Sequence, residues 1–317
     1  METILEVEDL RVYYKSVLGD YRSVDGVSCS VNANEVFGVA GESGCGKSTL
    51  VEGILRLVRP PGYIKSGRIV FRNVDLLSLA EEEIRRLRWK DLSYIPQGSM
   101  NSLNPVLRIE EQMMDAVTSH TDIDKEEAKR MAISSLKEVG LPVEVARMYP
   151  HELSGGMKQR VIIGTAILLK PSLVVADEPV TALDVVVQKS VLQSIAELRD
   201  RYGITVIFVA HDLAAHAEIV DRLAIMYAGT IVEIGSVYDI FLDSLHPYSK
   251  LLVEAVPSME KKVVKGIPGL APSPLNWPTG CRFHPRCPQA EAMCSQDQPP
   301  LREVGKGRYV ACHHCRQ

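Results

Sequence analysis

Along most of the chain, short runs of consecutive apolar and β-branched residues alternate with stretches whose apolar positions recur at helical spacing. Residues 35–40 form one such run. A glycine-rich turn follows, and then Leu50, Ile54 and Leu57 fall at i, i+4 and i+7 on one face of a helix. Residues 67–72 predict a further strand and 80–90 a short amphipathic helix. The segments 173–176 and 204–210 are apolar almost throughout, the pattern of strands buried on both faces of a parallel sheet. Residues 222–227 and 230–234, separated by Ala228-Gly229, predict an edge hairpin. Strands that alternate with helices in this way place the chain in the α/β class.

The strand pattern stops between about 98 and 150. There Asp124 and Glu127 can form a capping box, Ala128, Met131, Ser135 and Leu136 share one helix face, and Gly140 ends the helix. This segment reads as a helical insertion in the α/β core. After His246 the composition shifts to Pro, Gly and Cys, through the stretch 267–274, and the alternation ends. The expected organisation is a domain of residues 1–245, with a helical subdomain at about 98–160, and a small cysteine-rich C-terminal domain of residues 246–317.

Composition narrows the class. The 317 residues suggest about two domains. A hydrophobic fraction of 46% with 24% charge is that of an ordinary globular chain. With 36 basic and 40 acidic residues the net charge is -4, so nucleic acid is not an expected partner. The start METILEVEDL is acidic and unlike a secretory signal. The longest apolar run, 161–169, contains Gly164 and Thr165 and is far too short for a span. A cytoplasmic protein that meets the membrane only through partners is expected. Of the 7 cysteines, Cys281, Cys287, Cys294, Cys312 and Cys315 crowd the tail.

The stretch from Gly41 to Ser48 fits G-x-x-x-x-G-K-[ST] between a predicted strand and a predicted helix. In such a loop the backbone around Gly41, Ser43, Gly44, Cys45 and Gly46 turns its N–H groups towards phosphate oxygens, and the helix N-terminus adds partial positive charge. Lys47 can reach the β- and γ-phosphates, and Ser48, beside Thr49, can ligate Mg²⁺. Further on, the run 173–176 delivers Asp177 and Glu178 at the carboxyl end of a strand, where ligands sit in open parallel sheets. Asp177 suits Mg²⁺, and Glu178 suits a general base acting on water. Ser154, Gly155 and Gly156 open a second helix whose free N–H groups can also face an anion.

The segment 153–159, LSGGMKQ, resembles the signature motif of ATP-binding-cassette (ABC) ATPases, and Gln97, Asp184 and His211 fall in the order of that family's Q-loop, D-loop and H-loop. The resemblance implies a P-loop ABC ATPase core that binds ATP. Ser48, Gln97 and Asp177 would surround Mg²⁺, Glu178, Gln97 and His211 would act in hydrolysis, and the Ser154–Gly156 signature would close on ATP held by a partner chain, with Asp184 at the dimer interface. Tyr14, in the family's N-terminal loop, is the candidate for stacking on adenine, with Tyr13 its rival. Cys45 stands where Ser is usual and Val180 where Thr is common; neither change removes a catalytic group. The stretch 177–188, the motif His246-Pro-Tyr-Ser, Ile267-Pro-Gly and the segment 280–287 together resemble the ATPase subunits of dipeptide, oligopeptide and nickel importers, and LSGGM looks like their D-type subunit. The partners so implied are a homologous F-type ATPase subunit, two transmembrane permease subunits and, indirectly, an extracellular peptide-binding protein, with the chain peripheral on the inner face of the cell membrane. Nickel import is the alternative cargo. A soluble ABC ATPase of nucleic-acid repair or translation is the alternative class.

The spacing of the tail cysteines leaves zinc and an iron–sulfur cluster both open, since only Cys312 and Cys315 show the short pair usual for Zn²⁺. The importer resemblance implies a [4Fe-4S] cluster on Cys281, Cys287, Cys294 and Cys312, with Cys315 as a possible substitute.

Overall fold

The computed structural model describes residues 2–256 and 266–315. In chain order the elements are β1 (Thr3–Ser16), β2 (Gly19–Asn32), β3 (Val36–Ala40), α1 (Lys47–Ile54), β4 (Gly62–Phe71), β5 (Val74–Asp75), α2 (Glu81–Leu87) and β6 (Leu92–Ile95). They continue with α3 (Ile109–Thr118), α4 (Lys125–Glu138), α5 (Gly155–Ile167), β7 (Leu173–Asp177), α6 (Val185–Tyr202), β8 (Thr205–Val209), α7 (Leu213–Ile219), β9 (Arg222–Tyr227) and β10 (Thr230–Ser236). The last are α8 (Val237–Asp243), α9 (Pro247–Glu254), α10 (Ala292–Gln296), β11 (Arg302–Gly305) and β12 (Arg308–Val310). Two compact units form, one from residues 1–32, 37–78 and 211–317, the other from 33–36 and 79–210.

In the first unit β1 pairs antiparallel with both β2 and β4. Separately, β3 runs parallel to β9, and β9 and β10 form the expected hairpin. That hairpin is not an edge, contrary to the sequence expectation. Glu233 and Ile234 of β10 pair with Val310 and Tyr309 of β12, and β11 continues beyond. Covering β10 gives partners to backbone groups that an exposed edge would leave open. The tail thus supplies strands to the sheet of the first unit. Glu233, fully buried, accepts N–H bonds from Leu245 and His246 and so ties β10 to the start of α9.

In the second unit β6, β7 and β8 run parallel. Every residue of β7 and β8 is buried, as the unbroken apolar runs predict. Each buried Val, Ile or Phe there contributes about 1.5–3 kcal/mol relative to exposure. The helical insertion is present as α3, α4 and the start of α5. Asp124 caps α4 through the Glu127 N–H, Ala128, Ser135 and Leu136 are buried, and Gly140 follows at φ 72°. The Ser135 hydroxyl donates to the Gly164 carbonyl at 2.7 Å, a close approach of α4 to α5 that a side chain at position 164 would crowd. Among the described residues no helix is long and apolar enough to cross a membrane.

Candidate functional site

The phosphate loop belongs to the first unit and links β3 to α1. Its glycines are required by shape. A Cβ on Gly41 would lie 2.1 Å from the Met226 carbonyl oxygen, and one on Gly46, at φ 107°, would lie 2.2 Å from that of Ser23. Gly44, by contrast, faces open space and is exposed beside Ser43. No side chain caps α1, so its first N–H groups are left to an anion. Lys47 is buried, and its Nζ donates to the carbonyls of Gly41 at 2.8 Å and Glu42 at 3.1 Å. Cys45 is buried too, and that burial pushes its thiol up, which makes it a packing residue and not a reactive one. Ser48 and Thr49 are half-buried at the helix start, where the Ser23 hydroxyl donates to Thr49 Oγ1 at 2.9 Å. Tyr13 is buried and bonds Asp25 at 2.6 Å, whereas the Tyr14 hydroxyl lies 3.5 Å from Thr49 Oγ1, beside the loop. Of the two tyrosines, Tyr14 is the one placed near the nucleotide motif. His211, exposed just after Ala210, also packs with this unit and leads into α7, which Asp212 caps.

In the second unit β7 ends on Asp177, which is buried and accepts from the Tyr94 hydroxyl at 3.4 Å. Glu178 is buried with its backbone in the left-handed region at φ 52°, its N–H held by the Val209 carbonyl at 2.8 Å. A non-glycine residue there costs about 1–3 kcal/mol of strain, a feature that clusters at functional sites. The Gln97 amide donates to Glu178 Oε2 at 2.8 Å and the Thr181 hydroxyl to the same oxygen at 3.2 Å. Three residues chosen from sequence, Gln97, Asp177 and Glu178, are therefore brought together. Tyr94 and Thr181 were missed; Thr181 could have been found, three places after Glu178 in the same motif.

Ser154 caps α5, its hydroxyl accepting the Met157 N–H at 3.3 Å, and both Ser154 and Gly155 are exposed. Gly156 packs so tightly on α6 that a Cβ there would lie 2.5 Å from Val187. Asp184 caps α6 by accepting the Val187 N–H at 3.0 Å, and the next two residues, Val185 and Val186, are 81% and 79% exposed. Two neighbouring apolar side chains in water beside an exposed anion-ready helix end mark a surface suited to a partner. On the same unit a groove of about 780 Å³ is lined by Trp89, Tyr94, Leu103, Leu107, Met113 and Ile162.

In the tail, burial pushes the Cys281 thiol up to about 11, with Cys294, Cys312 and Cys287 adding to the rise. Cys287 is raised by burial, and then by Cys312 and Cys294. Cys312 is pulled down to about 6 by a hydrogen bond from Cys315, whose own thiol is raised. The Cys315 Sγ also points at the Leu245 carbonyl, 3.6 Å away. Among the described residues no group of three or more His, Cys, Asp or Glu side chains is arranged to hold a metal ion.

Residues 24–181 match the family model described as ABC transporter, and residues 232–294 match that of the oligopeptide/dipeptide transporter C-terminal region. The chain is similar to the dipeptide transport ATP-binding protein DppD of Caldanaerobacter subterraneus subsp. tengcongensis, 41% identical over 317 residues, 99% of this chain and 97% of the relative. It is likewise 41% identical to the oligopeptide transport ATP-binding protein OppD of Escherichia coli over 315 residues, 98% of this chain and 93% of the relative. A solved dimeric ATP-binding cassette in a post-hydrolysis state, bound to ADP and Pi, shares the fold at a TM-score of 0.66 and 24% identity, covering 74% of this chain and 98% of that one.

Proposed function

The chain belongs to the ABC transporter ATPases, among the subunits of dipeptide and oligopeptide importers, and from that membership we propose that it hydrolyses ATP to drive peptide uptake. The observation that carries this reading is a buried Glu178 carboxylate, oriented by Gln97 and Thr181, in a chain that also has a complete phosphate loop. The loop suits a phosphate chain, since its backbone is curled by glycines and its lysine stands inside the curl. Lys47 and the α1 N-terminus bind the phosphates, and Tyr14 stacks on the base. Ser48, Asp177 and Gln97 would hold Mg²⁺, which when bound neutralises charge on the β- and γ-phosphates. Buried Asp177 offers the hard oxygen donor that this ion prefers. Glu178 orients the attacking water and takes its proton, and His211 orients the γ-phosphate.

Ser154, Gly155 and Gly156 would close on ATP held by a partner chain, with Asp184, Val185 and Val186 at the joint. The partner is an F-type homologue. The groove beside α3 and α5 would receive a segment of one of two permease subunits, which keep the chain on the inner face of the membrane. A binding protein outside the cell would deliver the peptide. Residues 1–245 would then form the nucleotide-binding domain, with the helical subdomain at about 98–160, and 246–317 a metal-bearing extension. Proteoliposomes holding the chain with its F-type partner, permeases and binding protein should take up peptide only with hydrolysable ATP. Nucleic-acid binding that falls steeply with salt, without permease association, would overturn the transport reading.

We further infer that the tail holds a [4Fe-4S] cluster. Support comes from the sulfur donors themselves: Cys281 and Cys287 each feel Cys294 and Cys312, and Cys315, hydrogen-bonded to Cys312 and beside the Leu245 carbonyl, is the possible substitute for Cys312 as fourth ligand. The cluster would staple a Pro-rich segment with little core of its own. Anaerobically purified protein is expected to be brown with about four irons per chain, and Cys315→Ser should keep them. A colourless protein carrying one zinc would refute the cluster.

A further inference from the structure

The short loop between Cys281 and Cys287 carries two arginines, and both reach the phosphate-loop region within the first unit. The Arg286 guanidinium forks onto Glu42, the second residue of the phosphate motif, with Nη1 to Oε2 at 2.7 Å and Nη2 to Oε1 at 2.9 Å. Its Nε donates to the Pro268 carbonyl at 2.8 Å, and the guanidinium lies 5.7 Å from the ring centre of Tyr227 and 5.9 Å from that of Phe283. The Arg286 side chain is 6% exposed, so this pair is far less screened than a surface salt bridge. Glu42 is also held through its backbone, since its N–H donates to the Tyr248 hydroxyl at 2.8 Å and its carbonyl accepts from Lys47 Nζ. Arg282 makes a second, less direct tie. It donates to the Ala228 carbonyl at 2.5 Å and to Asp25 at 2.6 Å, and the adjoining Gly229 N–H donates to the Cys45 carbonyl at 2.9 Å.

We propose that Arg286 is a positioning residue for nucleotide binding: through its bidentate pair with Glu42, the cysteine-bearing loop holds the phosphate loop in its anion-receiving conformation and so sets ATP affinity. The proposal rests on the reading of residues 41–48 as the ATP site and deepens it. A free loop would lose backbone entropy on binding phosphate, whereas a clamped one has already lost it. The planar fork matters more than the charge, because only a guanidinium can take both carboxylate oxygens at once. A rearrangement of Cys281–Cys287 is thereby felt at the nucleotide.

The test is equilibrium ATP binding and steady-state hydrolysis by the full chain carrying Arg286→Met, Arg286→Lys, Glu42→Gln, or Glu42→Gln with Arg286→Met, each checked for folding by thermal unfolding. Arg286→Met should weaken ATP binding about tenfold and raise KM in step, with kcat at saturating ATP within about twofold. Arg286→Lys, which keeps the charge and perturbs the fold least, should still weaken binding at least about threefold. In the Glu42→Gln background Arg286→Met should change affinity less than about twofold. Wild-type affinity in Arg286→Lys, or additive effects in the double variant, would mean that the charge acts through space and would overturn the proposal. Failure of the ATP-site reading looks different: the unmodified chain would not bind ATP, or Lys47→Met would bind it as well as the unmodified chain does.

Discussion

Glu178→Gln should bind Mg²⁺-ATP as well as the unmodified chain while its turnover falls by about 10²–10⁴, the range a general base contributes. The substitution is close to isosteric, and the amide oxygen can still accept from Gln97 and Thr181, which now share Glu178 Oε2 at 2.8 and 3.2 Å. The backbone at φ 52° and its bond to Val209 are untouched, so the side chain stays where it is. Only the ability to take a proton from water is lost. If hydrolysis is what separates two nucleotide-joined chains, the variant should also accumulate as a dimer in Mg²⁺-ATP. Single-turnover hydrolysis and size-exclusion chromatography with nucleotide check both outcomes. A variant that hydrolyses ATP at the unmodified rate would remove Glu178 from the chemistry.

What could be read from the sequence follows from how local each signal is. The strands β3, β7 and β8 are buried along their whole length and appear as unbroken apolar runs, and the starts of α4 and α5 appear as Asp124 and Ser154. The long pair β1 and β2 was not legible. Its register shifts between Val7 and Leu10 and again up to Tyr13, with Asp9 at φ 44°, and each bulge breaks the period of two that marks a half-buried strand. The strands β11 and β12 are four and three residues long, and their place in the sheet depends on β12 pairing with β10 far away in sequence, so nothing local announces them. The same holds at the site. Gln97, Asp177 and Glu178 were found because each sits in a motif, while a sequence separation of 244 between Glu42 and Arg286 hides a contact as close as any in the phosphate loop. Motifs record the groups that touch substrate; the groups that hold them in place come from the folded chain.

Lys47→Met tests the loop itself and should lower ATP affinity by at least about a hundredfold. At an effective dielectric near 20, one unit-charge pair at 4 Å is worth about 4 kcal/mol, against about 2.7 kcal/mol for a hundredfold loss. The lysine is 4% exposed, so solvent screens it little, and methionine keeps most of the apolar stem that packs there. Removing Nζ also takes the donor from the carbonyls of Gly41 and Glu42, which costs stability of about 1–3 kcal/mol for acceptors left in a buried place. The two effects separate by measurement. Calorimetric ATP binding well below the unfolding midpoint reads the lost phosphate contact, and thermal unfolding without nucleotide reads the orphaned carbonyls. An affinity within about threefold of the unmodified chain would show that the charge does not meet phosphate, whatever the change in stability.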